Sequence, residues 1–219
     1  MASTTLSGGG GTDVILPEGV NTDAVEVGVG EAGNTLVAVK QNTTNLDIAA
    51  KGSTGITGKK VTGTTVNVAA KKGEDANIVL QTTNAKNTNI TNEGRSALEV
   101  NVNTGKVNNL TIDAGNKKRA DLVRVKGDVT LSRLSAALGK GNDNVRIDKG
   151  ATLKGKNTID LGKGGKDSVV IEADSLGKAK LTITNFTKKD TLTVGKTTFD
   201  YKDIKGGADL PGNIKVELA

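Results

Sequence analysis

Pairs of aliphatic residues separated by one position recur along this chain: Val66 and Val68, Ile78 and Leu80, Val100 and Val102, Leu110 and Ile112. The series resumes with Val145 and Ile147, Ile159 and Leu161, Val169 and Ile171, Leu181 and Ile183, and Leu192 and Val194. Residues two apart point to the same side of an extended strand, so each pair reads as one short strand with a single inward face. Within each run most of the pairs follow one another at about 10 to 14 residues, and the residues between them are mostly Gly, Asn, Asp, Lys and Thr, which suit tight corners.

Strands that bury only two or three aliphatics each cannot make a thick core. They are what a rung needs when it is stacked between two like rungs, so the pattern favours an all-β, parallel β-solenoid (a β-helix or β-roll) over a sandwich. Composition agrees: 35% of the 219 residues are hydrophobic, only Phe186, Phe199 and Tyr201 are aromatic, and 29 are glycine. The steady supply of Val and Ile argues for order.

The repeat is looser at the start, where Asp13–Leu16, Ala24–Val27 and Thr35–Val39 read as less evenly spaced strands. Residues 1–60 are therefore expected to form an irregular N-terminal cap or docking segment. Residues 61–219 should form the solenoid, ending in a C-terminal cap over 185–219. Leu131, Leu134 and Leu138, followed by Gly139, have helical spacing with a glycine stop and predict a short helix over 131–138.

Cysteine and histidine are absent, which excludes disulfides, thiol nucleophiles, thiolate metal sites and imidazole chemistry. No apolar window approaches membrane-spanning length, and the Met1–Gly11 start lacks the basic and apolar regions of a secretory signal. The formal charge of +6 is spread along the chain, with short runs at Lys71-Lys72, Lys117-Lys118-Arg119 and Lys188-Lys189. That distribution reads as a solvated surface with some attraction to acidic polymers. It does not suggest specific nucleic-acid binding, which needs a concentrated basic stripe or aromatic platforms.

Gly139-Lys140-Gly141-Asn142-Asp143-Asn144-Val145 resembles one turn of the RTX, or haemolysin-type, nonapeptide repeat. A poorer copy lies at Gly164-Gly165-Lys166-Asp167-Ser168-Val169, and Ile183–Val194 is similar to the segment that closes such β-rolls. The resemblance covers residues 139–200 and implies a β-roll whose aspartates face calcium. Calcium held between turns requires aspartates at a nine-residue period, and here Asp143 and Asp167 are 24 residues apart. Lys140, Lys163 and Lys166 add positive charge at the same corners. The expectation is a β-roll that works without a cofactor, with Asp143 and Asp167 the candidates for any residual calcium.

Two nucleotide-like motifs fail on context. Gly28-Val29-Gly30-Glu31-Ala32-Gly33 is followed by a strand instead of a helix, and Gly195-Lys196-Thr197 has Asp190 where a P-loop needs glycine. Parallel β-helices also host polysaccharide-cleaving enzymes, for which Asp148 with Asp160, or Asp143 with Asp167, would be the carboxylate pairs. Sugar clefts usually carry aromatic platforms, and here the aromatics are confined to residues 186–201, so no catalytic residue is assigned. Phe186, Phe199 and Tyr201 are read as a plug for the end of the stack, or else a docking patch, because an open solenoid end exposes core and strand edge.

These readings lead to a non-enzymatic structural protein of a large assembly, most simply a phage virion decoration, appendage or tail-associated component, acting through self-assembly or contact with other structural proteins. The alternative is an RTX-like adhesin or cell-surface protein, exported without a cleaved signal. A carbohydrate-active β-helix enzyme is the third reading.

Overall fold

The structure is a computed structural model, and it describes residues 3–8, 13–16, 24–29, 35–39, 43–50, 54–71, 76–103, 105–115 and 118–219. The chain winds as a parallel β-solenoid. From Leu98 onward each coil has three sides. The first is built from Leu98–Val102, Leu122–Val125, Asn144–Ile147, Ser168–Ile171 and Thr191–Val194, each hydrogen-bonded in parallel to the next. The second and third sides come from Gly105–Asp113, Val129–Ala137, Thr152–Lys154 with Lys156–Asp160, and then, on the third side alone, Lys180–Phe186 and Asn213–Leu218.

Register explains why the aliphatic pairs repeat. Val100 lies beside Val123, Val123 beside Val145, Val145 beside Val169 and Val169 beside Leu192, so one coil consumes 22 to 24 residues. Each rung buries one to three aliphatics per side in a single continuous core. Val123, Val145, Val169 and Leu192 are all at most 1% exposed. A fully buried Val, Leu or Ile contributes about 1.5–3 kcal/mol, so coils with thin cores hold together through their number and through the ladder between them.

The same parallel pairing extends back through Ala76–Asn92, Thr54–Val68 and Thr43–Ala50 to Thr35–Val39, Ala24–Val29, Asp13–Leu16 and Ser3–Gly8. The strands read in the sequence before residue 60 are thus present and join the main ladder. At the other end, Thr197–Phe199 folds back antiparallel on Thr191–Val194, after which the helix Tyr201–Lys205 leads to the last strand. Asp200 caps that helix, accepting from the backbone N–H groups of Lys202 and Asp203, while the Asp203 side chain returns to the Asp200 N–H.

The helix expected over 131–138 is not formed; the segment lies in the strand Val129–Ala137. Arg133 takes φ +62 and turns the corner between the second and third sides. Leu131 and Leu134 flank that corner and both point inward, while Leu134, Ala136 and Leu138 alternate along the third side. A three-residue step across a bend followed by two two-residue steps reproduces the i, i+3, i+7 pattern of a helix. Asn87 and Asn109 hold the same left-handed position on the preceding coils, at φ +53 and +61. Asparagine tolerates that conformation better than most residues.

Candidate functional site

The coils meet at a corner between the third side of one and the first side of the next. The described residues at this corner are 114–115 with 118–121, 138–143, 161–167 and 187–190. Two rows of side chains form along this corner, one inside and one outside.

The inner row is Asp121, Asp143, Asp167 and Asp190, between 1% and 3% exposed. Each stands two residues before the first inward aliphatic of its strand, as in Asp121-Leu122-Val123 and Asp143-Asn144-Val145, so strand alternation turns it into the core. Each carboxylate then reaches back one coil. Leu98 N–H donates to Asp121 Oδ1 at 2.7 Å, and Asp121 N–H to Asp143 Oδ1 at 2.8 Å. Asp143 N–H donates to Asp167 Oδ1 and Asp167 N–H to Asp190 Oδ1, both at 2.8 Å. The ladder closes at Asp190, whose Oδ2 accepts from Thr187 N–H at 2.7 Å. Asp143 Oδ2, in contrast, is buried without a hydrogen-bond partner.

Burial disfavours the charged form, and it pushes the Asp121 carboxyl up to about 6 against the lowering effect of the Leu98 N–H bond. Asp143 and Asp167 rise to about 7, burial again first, with neighbouring carboxylates adding to the rise. Three in-register carboxylates, those of Asp121, Asp143 and Asp167, therefore exchange protons near neutral pH.

The two calcium candidates, Asp143 and Asp167, both belong to this row. Their Oδ1 atoms face backbone N–H donors, an arrangement that suits an anion or a neutral acid and opposes cation ligation. The coil length of 22 to 24 residues also departs from a nine-residue period. These residues do not fit a calcium site of the RTX kind. Among the described residues, no group of three acidic side chains is placed to hold a metal.

The glycines of the RTX-like stretch have a different explanation. A Cβ at Gly141 would lie 1.6 Å from the Arg119 carbonyl oxygen, and one at Gly165 would lie 1.5 Å from that of Gly141. Adjacent corners approach backbone to backbone, and only glycine permits it.

The outer row is cationic. Lys118 and Lys140 form a parallel bridge, and Lys163 N–H donates to the Gly139 carbonyl, so Lys118, Lys140 and Lys163 follow one another on successive coils. Together with Arg119, Asn142, Gly141, Gly164 and Gly165 they line a groove of about 350 Å³. A second groove of about 300 Å³ continues toward Lys188, Lys189 and Tyr201.

The remaining sequence candidates are scattered. Asp148 lies on the first-side corner and is bridged by Arg124 at 2.7 Å and Arg146 at 2.6 Å. Burial alone would raise its pKa, but the two guanidinium groups outweigh that and lower it. Asp160 sits on the third side, where its Oδ1 accepts from Gly162 N–H and Asn185 Nδ2. The two are not brought together as a catalytic pair. Phe186 is fully buried opposite Leu218, and Phe199 is 9% exposed opposite Leu192. Tyr201 opens the helix, half-buried against the core. Gly195 and Lys196 form the hairpin turn before Thr197–Phe199, and residues 30–33 of the dinucleotide-like motif lie outside the described residues.

Sequence reasoning missed both rows. The signal for the inner one was present as Asp-x-aliphatic at four strand starts; the outer one needed the register. Comparison with models of known protein families, with curated proteins and with solved structures finds no match.

Proposed function

We propose that this chain is a non-enzymatic structural component of a large assembly, a virion decoration, appendage or tail-associated part, working through the repeating outer faces of its solenoid. The observation that carries this reading is the row Thr111, Ser135, Thr158 and Thr182, one residue per coil in parallel register along the third side. Such a row gives a flat, repetitive, polar surface suited to packing against copies of the chain or another ordered surface. The carboxylates considered for catalysis are engaged with backbone donors or arginines, which also supports a structural role. The test is sedimentation of the purified chain over a hundredfold concentration range, with electron microscopy of the native source. Concentration-dependent assembly, or the chain at fixed positions on a particle, is expected; a monomer throughout and absence from every particle would overturn the proposal.

A further inference from the structure

We propose that the corner bearing Lys118, Arg119, Lys140, Lys163, Lys188 and Lys189 binds a linear anionic polysaccharide lying along the solenoid axis.

The first support is spacing. Parallel register places Lys118, Lys140 and Lys163 one coil apart, at the inter-strand distance of about 4.8 Å. An extended chain of charged sugar rings can follow such a file of ammonium groups. The second is that these cations have no counter-charge among the described residues. Like charges on neighbouring strands repel, and where the fold stacks Arg124 over Arg146 on the first side it places Asp148 between them. At the lysine corner no carboxylate among the described residues comes within ion-pair distance. Of the acidic side chains near these cations in sequence, Asp121, Asp143, Asp167 and Asp190 are turned inward and held by backbone N–H groups, and Asp160 is held by Gly162 N–H and Asn185 Nδ2.

The third support is access. Three of the residues lining the groove, Gly141, Gly164 and Gly165, carry no side chain to cover the lysines. A Cβ at Gly164 would meet nothing within 4 Å, which shows that the groove is open there. Exposed Asn142, whose Oδ1 accepts from Lys166 N–H at 2.9 Å, leaves its Nδ2 as a donor in the groove wall, suited to sugar hydroxyls. The groove offers charge without a stacking platform, since Tyr201, at the far end of the adjoining groove, is the one aromatic residue lining either. Single-stranded nucleic acid and neutral sugars are both held by stacking on aromatic rings, whereas a polysaccharide that carries an anionic group on its rings can be held by the file of cations alone.

The proposal is independent of whether the chain assembles into a particle. The experiment uses the full chain, with a heparin-derived dodecasaccharide and a polygalacturonate oligomer as probes and a single-stranded DNA oligomer of matched charge as comparator. Both saccharides should bind, and raising salt from 50 to 200 mM should weaken binding at least tenfold. The triple variant Lys118→Gln, Lys140→Gln, Lys163→Gln should lose at least tenfold in affinity with its melting temperature unchanged. The control triple Lys106→Gln, Lys154→Gln, Lys178→Gln, at exposed sites outside the groove lining that do not stack in register with one another, should bind as the parent does. Absence of saccharide binding, equal losses in both triples, or tighter binding of DNA than of either saccharide would each overturn the proposal.

Discussion

Asp121 donates its backbone N–H to the Oδ1 of Asp143, 22 residues later and one coil on, across 2.8 Å. The bond repeats from Asp143 to Asp167 and from Asp167 to Asp190, so a row of acids buried in the core also joins one coil to the next.

Stability should rise on acidification. Asp121, Asp143 and Asp167 have folded pKa values of about 6, 7 and 7 against 3.8 when unfolded. The native state holds more protons between those limits, so its stability is greatest toward the lower one and falls as pH climbs through the folded values. Asp148 acts oppositely: its pKa is lowered, and the stability it adds is lost as pH falls below the ordinary carboxylate range. Thermal unfolding followed by circular dichroism should give a higher melting temperature at pH 5 than at pH 8; the reverse order would refute the buried ladder.

Asp143→Asn keeps an acceptor for Asp121 N–H, removes the ionisation and puts an amide where Oδ2 is unpartnered. The variant should be more stable than the parent at pH 8 and show a flatter pH profile. Asp143→Ala strands a buried N–H at a cost of about 1–3 kcal/mol. Chemical denaturation of the two variants at pH 5, where the parent's acid is neutral, should show the alanine variant clearly weaker.

Close approach of the coils makes Gly141→Ala expensive, by about 3 kcal/mol or more, because its methyl would collide with the Arg119 carbonyl. Gly164→Ala meets no atom and should cost about 1 kcal/mol, from its φ of +81 alone. Denaturation midpoints of the two variants measure the difference directly.

The bend at Arg133 gives a test by sign. In a helix, Arg133→Gly would cost about 1 kcal/mol. At φ +62 it should stabilise by about 0.5–1 kcal/mol, less what is lost with the exposed Arg133–Asn108 hydrogen bond.

The aliphatic pairs were legible because a buried strand face imposes period two on the sequence, as at Val145 and Ile147. Leu131, Leu134 and Leu138 misled because a one-residue corner shifts that period, and the corner depends on a backbone angle that arginine does not announce. The aspartate and lysine rows were hidden for a related reason. Asp121, Asp143, Asp167 and Asp190 recur at 22, 24 and 23 residues, so loops of unequal length blur a period that register restores. The RTX-like glycines did mark tight corners; their cause is backbone contact between coils, and the aspartates beside them face amides.

Everything above depends on coils stacking at this register, and the absence of native cysteine allows it to be measured by cross-linking. Thr111 and Ser135 are exposed register partners on adjacent coils, while Thr158 is one coil beyond Ser135. Neighbouring parallel strands lie within the Cα separation a disulfide spans, and strands two apart do not. Under mild oxidation, Thr111→Cys with Ser135→Cys should form an intramolecular disulfide, and Thr111→Cys with Thr158→Cys should stay reduced. Efficient closure of the second pair, or failure of the first in the folded protein, would contradict the account.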